Sequence, residues 1–186
     1  MLHDKLKNYK LILASGSPRR QQFFKDLDLD FEIRLKEIEE VYPPNLKREE
    51  ITNFLAILKS TPFEGTLQEK ELVVTSDTIV WHNEKALGKP KDRDDAFAIL
   101  KSLSNATHEV VTSVCFKTKH KTDVLFDVTK VTFNSISDEA INYYIDKYQP
   151  YDKAGAYGIQ EWIGFIGVAR IEGSYPNVMG LPVDKV

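Results

Sequence analysis

The sequence has little of what marks several common functional classes. Its 186 residues hold one cysteine, Cys115, which rules out a disulfide framework and a cysteine metal site. That cysteine lies in an apolar strand-like run and is expected to be a buried structural thiol. None of the four histidines (His3, His82, His108, His120) shows zinc-ligand spacing. No stretch approaches the roughly 20 apolar residues of a membrane span, and the polar N-terminus does not read as a signal peptide. No membrane association and a cytoplasmic location are therefore expected. Neither sign of charge is in large excess: 25 Lys and Arg against 28 Asp and Glu leave a formal −3. This argues against a general nucleic-acid binder and makes any phosphate recognition local. There is no Walker A loop, no Rossmann glycine fingerprint, no internal repeat and no low-complexity linker. With 42% hydrophobic and 28% charged residues, the composition is that of an ordinary soluble globular protein. The length suits one domain, or one elongated domain in two lobes, with enough chain for a proper core.

What is present is concentrated in Leu11-Ile12-Leu13-Ala14-Ser15-Gly16-Ser17-Pro18-Arg19-Arg20. The apolar run Leu11 to Ala14 is the pattern of a strand buried on both faces. Ser15 and Gly16 break it. Ser17 followed by Pro18 is a helix start, a hydroxyl that can cap free N–H groups and then proline at the first helical position. Phe23, Phe24 and Leu27 continue at helical spacing. A helix N-terminus attracts anions, and arginines in its first turn oppose that dipole unless a polyanion engages their guanidinium forks. An ordinary surface helix with solvated arginines reads this turn equally well.

The rest of the chain alternates strands and helices. Phe31 to Leu35 predicts a strand, followed by an acidic loop, Glu37 to Glu40, ending at Pro43-Pro44. Asn45 is placed to cap a helix carrying Ile51, Phe54, Leu55 and Leu58 and stopping before Pro62. Leu72 to Trp81 is the strongest strand, and Asn83-Glu84 reads as a hairpin turn returning through Ala86-Leu87. Asp92 caps a helix with Ala96, Ile99, Leu100 and Leu103 inward. His108 to Thr118 and Asp123 to Asn134 read as an antiparallel pair. Ser137 caps a helix carrying Ile141, Tyr144 and Ile145. Residues 151–160 form a small-residue loop dense in polar groups, Gly164 to Glu172 reads as a strand, and 175–182 as a turn or short helix. The interleaving predicts a mixed sheet with flanking helices, α/β in class.

Among the polar residues Asp77 stands out, because it interrupts Val73-Val74 and Ile79-Val80, where an ionised group is costly without a partner or metal. A lone buried aspartate is more often structural. Glu39 and Glu40 lie on a loop that reads equally as a solvated acidic turn. A carboxylate from each place suits magnesium, which takes hard oxygen ligands and keeps several waters. Lys59 sits on an otherwise apolar helix and Lys89 between Gly88 and Pro90; each is more often a surface lysine than a ligand. Lys153 and Gln160 flank glycines that let backbone approach a ligand closely, and the Gln160 amide can read a base edge.

Taken in order, these motifs resemble the Maf-like nucleoside triphosphate pyrophosphatases, the septum-formation inhibitor family. The matching blocks are Leu-Ala-Ser-Gly-Ser-Pro-Arg-Arg at 13–20, Ile-Glu-Glu at 38–40, Leu-Ala-Ile-Leu-Lys at 55–59, Ser-Asp-Thr at 76–78 and Gly-Lys-Pro at 88–90. Asp-Lys-Ala-Gly-Ala-Tyr-Gly-Ile-Gln at 152–160 and Gly-Leu-Pro at 180–182 complete them. The resemblance covers nearly the whole chain. It implies one Maf/ITPase-like domain over residues 1–186, with a mixed, twisted sheet and two lobes with a cleft.

The resemblance further implies hydrolysis of a nucleoside triphosphate to monophosphate and pyrophosphate with a divalent cation, Mg²⁺ or Mn²⁺. It makes Asp77 the catalytic proton acceptor for the attacking water. It places Glu40 with Asp77 at the metal, Glu39 being the less favoured neighbour. It assigns Ser15, Arg20, Lys59 and Lys89 to the triphosphate, assisted by Lys153. Arg19, Thr78 and Gln160 match the branch acting on dTTP and UTP, where the branch acting on 7-methyl-GTP tends to carry tryptophan, glutamine and glutamate. A 7-methyl-GTP enzyme and a non-enzymatic nucleotide-binding regulator of cell division are the alternatives. The resemblance leaves a homodimer open. Two departures are visible: the sequence stops at Val186, where the family usually continues past Gly-Leu-Pro into a terminal helix, and Glu161 follows Gln160 where glycine is common.

Overall fold

The computed structural model describes residues 2–186. In chain order the helices and strands are α1 (Leu2–Leu6), β1 (Lys10–Leu13), α2 (Pro18–Asp26), β2 (Phe31–Ile33), α3 (Glu49–Ser60), β3 (Glu71–His82), β4 (Lys85–Leu87), α4 (Arg93–Leu103), β5 (Thr107–Lys117), β6 (Thr122–Phe133), α5 (Asp138–Tyr148), α6 (Trp162–Gly167), β7 (Val168–Glu172) and α7 (Tyr175–Val178). Among the described residues the strands form one sheet in the order β2-β1-β3-β5-β6-β7, with β4 paired to β3. β1 is parallel to β2 and β3, whereas β3–β4 and β6–β7 are antiparallel. The sheet is mixed and the class is α/β, as the alternation of elements predicts.

The chain divides into two compact units. The first comprises Met1–Asp77, Thr112–Phe126 and Gly180–Val186; the second comprises Thr78–Val111 and Asp127–Met179.

In the first unit, β1 is buried on both faces, as its unbroken apolar run requires. Leu11 and Leu13 join Phe24, Leu29, Val74, Val114 and Leu181. Ile12 packs on the opposite side with Phe63, Leu67 and Val73. The strand order β2-β1-β3 means that the chain leaves β1 to one side and later returns to its other side. That is a topological switch point, and ligands in parallel sheets bind outside the carboxyl ends of strands there. Pro18 occupies the first position of α2 as expected, but the Ser17 hydroxyl makes no capping bond. The Ser15 hydroxyl instead accepts the Ser17 N–H at 3.3 Å. A second correction concerns α3, which is not capped by Asn45 but begins at Glu49 after Arg48. There the Glu50 carboxylate accepts the Lys47 N–H at 3.0 Å, so the helix entry is set by a side chain reaching backwards.

The second unit is built on one core in which α4 residues Ala96, Ile99, Leu100 and Leu103 meet Ile141, Tyr144 and Ile145 of α5 and Phe133 of β6. Both helix caps are as expected: Asp92 accepts the Asp95 N–H and Ser137 the Ala140 N–H. The turn between β3 and β4 places Asn83 and Glu84 at φ 49° and 58°, the left-handed pair that a two-residue hairpin favours. The strand expected over 164–172 is corrected, since residues 162–167 are helical and only Val168–Glu172 is β. Gly164 explains the difference: a Cβ there would lie 1.9 Å from the Ile159 carbonyl oxygen, so α6 packs backbone against backbone with Ile163 and Gly167 buried.

Candidate active site

The polar face of α3 sets the first group of candidate residues. Thr52, Ala56 and Lys59 fall at i, i+4 and i+7, one stripe of the helix. The alternation of β3 turns Val73, Thr75 and Asp77 to one face. The two stripes meet residue by residue: Thr75 Oγ1 donates to the Ala56 carbonyl at 2.6 Å, and Lys59 Nζ reaches Asp77 Oδ1 at 2.6 Å. Further along α3, the Thr52 hydroxyl lies 2.6 Å from that of Ser113 on β5, which donates to Asn53 at 2.7 Å. Asp77 is thus a buried carboxylate with an ionic partner, which answers the cost of placing it in a strand. Lys59 also holds Glu40 Oε2 at 2.9 Å, with Glu40 the more exposed of the two carboxylates. One ammonium therefore draws together a carboxylate from β3 and one from the acidic loop.

Beside this trio stands the turn after β1. Arg20 Nε donates to the Gly180 carbonyl at 2.8 Å, and its Nη1 to the Ser76 carbonyl at 3.0 Å and the Ser15 hydroxyl at 3.5 Å. Gly180 sits at φ 106°, a conformation that a side chain would strain, and this presents its carbonyl to Arg20. Burial pulls the Arg20 guanidinium down to about 10, while Asp77 and Glu40 act in the opposite direction and Arg19 adds to the lowering. It remains a cation at neutral pH. The first unit thus gathers Ser15, Arg20, Lys59, Glu40 and Asp77 into one charged neighbourhood, with the Arg19 charge close enough to act on Arg20.

The remaining candidates lie in the second unit. Thr78 follows Asp77 on β3 and is partly exposed. Lys89 is exposed, and its neighbour Gly88 accepts the Gly155 N–H at 3.1 Å, tying the Gly-Lys-Pro segment to the 152–160 loop. Gly155 has φ 70°, and a Cβ there would lie 2.6 Å from Val80, so only glycine lets the loop pass. Lys153 is buried, with Nζ 2.7 Å from Asp152 and 3.2 Å from Glu161. Gln160 is partly exposed at the end of the loop. Sequence reasoning missed two anchors of this loop. Tyr144 donates its hydroxyl to Glu161 and accepts the Gly158 N–H at 3.0 Å. Tyr144 reads in sequence as a core position on α5, and only the departure at Glu161 hinted at a special role there.

These features define a protein of the Maf-like family, and the chain belongs to it: residues 10–186 match the family described as Maf-like protein. The chain is 71% identical to a dTTP/UTP pyrophosphatase of Flavobacterium johnsoniae over 100% of its own length and 96% of the relative's. It is 66% identical to a dTTP/UTP pyrophosphatase of Flavobacterium psychrophilum, over 100% and 95%. Among solved structures, the Ham1 protein of Staphylococcus aureus aligns at a TM-score of 0.50 with 18% identity, covering 84% of this chain and 90% of that one. That likeness concerns the fold alone.

Proposed function

We propose that this chain hydrolyses nucleoside triphosphates to the monophosphate and pyrophosphate, with dTTP and UTP as substrates, as a single domain over residues 1–186 acting in the cytoplasm. The observation that carries the reading is the convergence of Asp77 and Glu40 on Lys59, beside Arg20 and Ser15, past the carboxyl end of β1, where β3 runs on through Asp77. The products require that water displace pyrophosphate, so that the α–β anhydride bond breaks and the water loses a proton. Asp77, an acceptor-only carboxylate with one oxygen on Lys59, takes that proton. Arg20, Lys59 and Lys89 hold the triphosphate and offset the charge developing on the leaving pyrophosphate, with Ser15 and Lys153 adding contacts. The two arginines repel one another at the start of α2, and a polyanion offers them a further, anionic partner.

The two carboxylates fit a hard divalent cation, since both already aim an oxygen at one positive centre, the Lys59 ammonium. Asp77 and Glu40 hold Mg²⁺ or Mn²⁺ when it is bound, and the ion supplies charge neutralisation and a more acidic water. Arg19, Thr78 and Gln160 set the base preference. The names carried by the relatives support this reading over a 7-methyl-GTP activity or a regulator without turnover. The test is pyrophosphate release from dTTP, UTP, CTP, GTP and 7-methyl-GTP, with Mg²⁺, with Mn²⁺ and with chelator. Metal-dependent turnover led by dTTP and UTP is expected; a lead for 7-methyl-GTP overturns the base assignment, and no turnover overturns the activity.

A further inference from the structure

The loop that ends in Gln160 has few means of its own to keep one shape. It is rich in small residues, Gly155 and Ala156 both lie at positive φ (70° and 58°), and its only regular piece is a 3₁₀ turn over Ala154–Ala156. The Gly155 N–H on the Gly88 carbonyl and the Tyr157 hydroxyl on His108 anchor its middle, and one side chain anchors its end. Glu161 stands at the start of α6, where its backbone carbonyl accepts the Gly164 N–H at 2.9 Å. Its carboxylate accepts from the hydroxyl of Tyr144, a fully buried side chain, and pairs with Lys153 Nζ at 3.2 Å. The same Tyr144 hydroxyl accepts the Gly158 N–H at 3.0 Å. A Cβ on Gly158 would lie 2.7 Å from the Glu161 carboxyl carbon, so glycine there makes room for the carboxylate. Gln160 is thereby flanked at 158 and 161 by residues held on one buried hydroxyl.

We infer that Glu161 is a positioning residue whose carboxylate, bonded to Tyr144 and Lys153, holds Gln160 in the orientation that selects uracil and thymine over cytosine. This rests on the reading of Gln160 as the base reader. A primary amide offers both an acceptor and donors. In one orientation it matches a base with a carbonyl acceptor at position 4, and when turned over it matches the amino donor of cytosine. Selectivity among pyrimidines therefore requires that the backbone presenting the amide keep one path, and a neighbouring carboxylate bonded to a buried hydroxyl and an ammonium is a strong way to hold that backbone.

The test compares wild type with Glu161→Ala, Glu161→Gln and Tyr144→Phe. Calorimetry with α,β-imido UTP and α,β-imido CTP reads base selectivity without turnover, and hydrogen exchange at the Gly158 amide reads the loop. Wild type is expected to prefer the uridine analogue, and Glu161→Ala to narrow that ratio by about tenfold, the worth of one hydrogen bond to the base. Glu161→Gln, which keeps an acceptor for Tyr144 but loses the charge facing Lys153, falls between them. Should the alanine variant not fold, the glutamine and phenylalanine variants carry the same comparison. An unchanged ratio in a variant whose Gly158 amide exchanges faster overturns the inference and leaves Glu161 a purely structural anchor. A wild type without preference between the analogues overturns it as well. Absence of turnover with the analogue preference intact in wild type and narrowed in the variants counts against hydrolysis and supports the inference.

Discussion

The two units solve the problem of buried polar groups in opposite ways. In the first, beside neutral pairs such as Thr52 with Ser113, ions converge next to β1: Asp77 and Glu40 on Lys59, and Arg20 on the carbonyls of Ser76 and Gly180. In the second, they are mostly neutral and enclosed by core. His108 contacts the Tyr157 hydroxyl at 2.8 Å between aromatic rings, and the Asn177 amide donates to the Val110 carbonyl and the Thr129 hydroxyl. Converging ions, with Glu40 half-exposed, can exchange one another for an incoming charge. Closed neutral networks cannot, and serve to fix backbone. On the proposed reading, the two carboxylates and Lys59 that serve proton transfer and the metal lie in the first unit, and the anchors of the 152–160 loop lie in the second.

The sharpest way to break that assignment is Asp77→Asn, which keeps the shape and removes the proton acceptor. Turnover of dTTP is expected to fall by about 10²–10⁴-fold, with little change in melting temperature because Glu40 still pairs with Lys59. A variant with wild-type turnover ends the role given to Asp77. Lys59→Met comes next, with an expected loss of about 10²–10³-fold in kcat/KM, comparable to removing one preorganised donor from a transition-state charge. Steady-state kinetics on dTTP and UTP decides it.

Two smaller effects belong to the second unit and are read as stability. Gly164→Ala forces a methyl group against the Ile159 carbonyl, where its Cβ would lie at 1.9 Å. Overpacking of this kind costs about 1–3 kcal/mol, and a lowered midpoint in denaturant titration is the expected result. A midpoint equal to wild type would show that α6 is free to shift. The last concerns pH. Burial, and secondarily the His82 charge, hold the His108 imidazole down from 6.5 to about 3. The unfolded chain takes up a proton below 6.5 that the folded chain refuses until about 3, so stability present above 6.5 is lost progressively as pH falls through that window. His108→Gln should flatten this acid limb in melting temperature measured against pH.

Most strands and two of the four expected helix caps were legible because they depend on neighbours in sequence. The apolar run at 11–14, the caps Asp92 and Ser137 and the turn Asn83-Glu84 each carry their own local signal. The failures have separate causes. Gly164 to Gly167 reads as strand because glycine and β-branched residues leave no helical signature, while backbone packing on Ile159 decides the helix. Asn45 offers a better cap than Arg48, yet the reach of Glu50 back to Lys47 fixes where α3 starts. The Ser17 hydroxyl makes no capping bond, although it stands before Pro18, and the Ser15 hydroxyl accepts the Ser17 N–H.

For the candidate site, sequence alone determined the cast. Asp77 in an apolar strand, the arginines after Ser-Pro, Glu40 in an acidic loop, and Lys153 and Gln160 around glycines are all visible as residue types out of keeping with their surroundings. The tertiary structure alone decided the pairings. That Lys59 answers both Asp77 and Glu40, that the Gly180 carbonyl holds Arg20 across 160 residues of chain, and that Tyr144 and Glu161 anchor the loop are long-range facts. Ionic and hydrogen-bond partners are chosen by distance in space, which chain folding sets and local sequence does not encode.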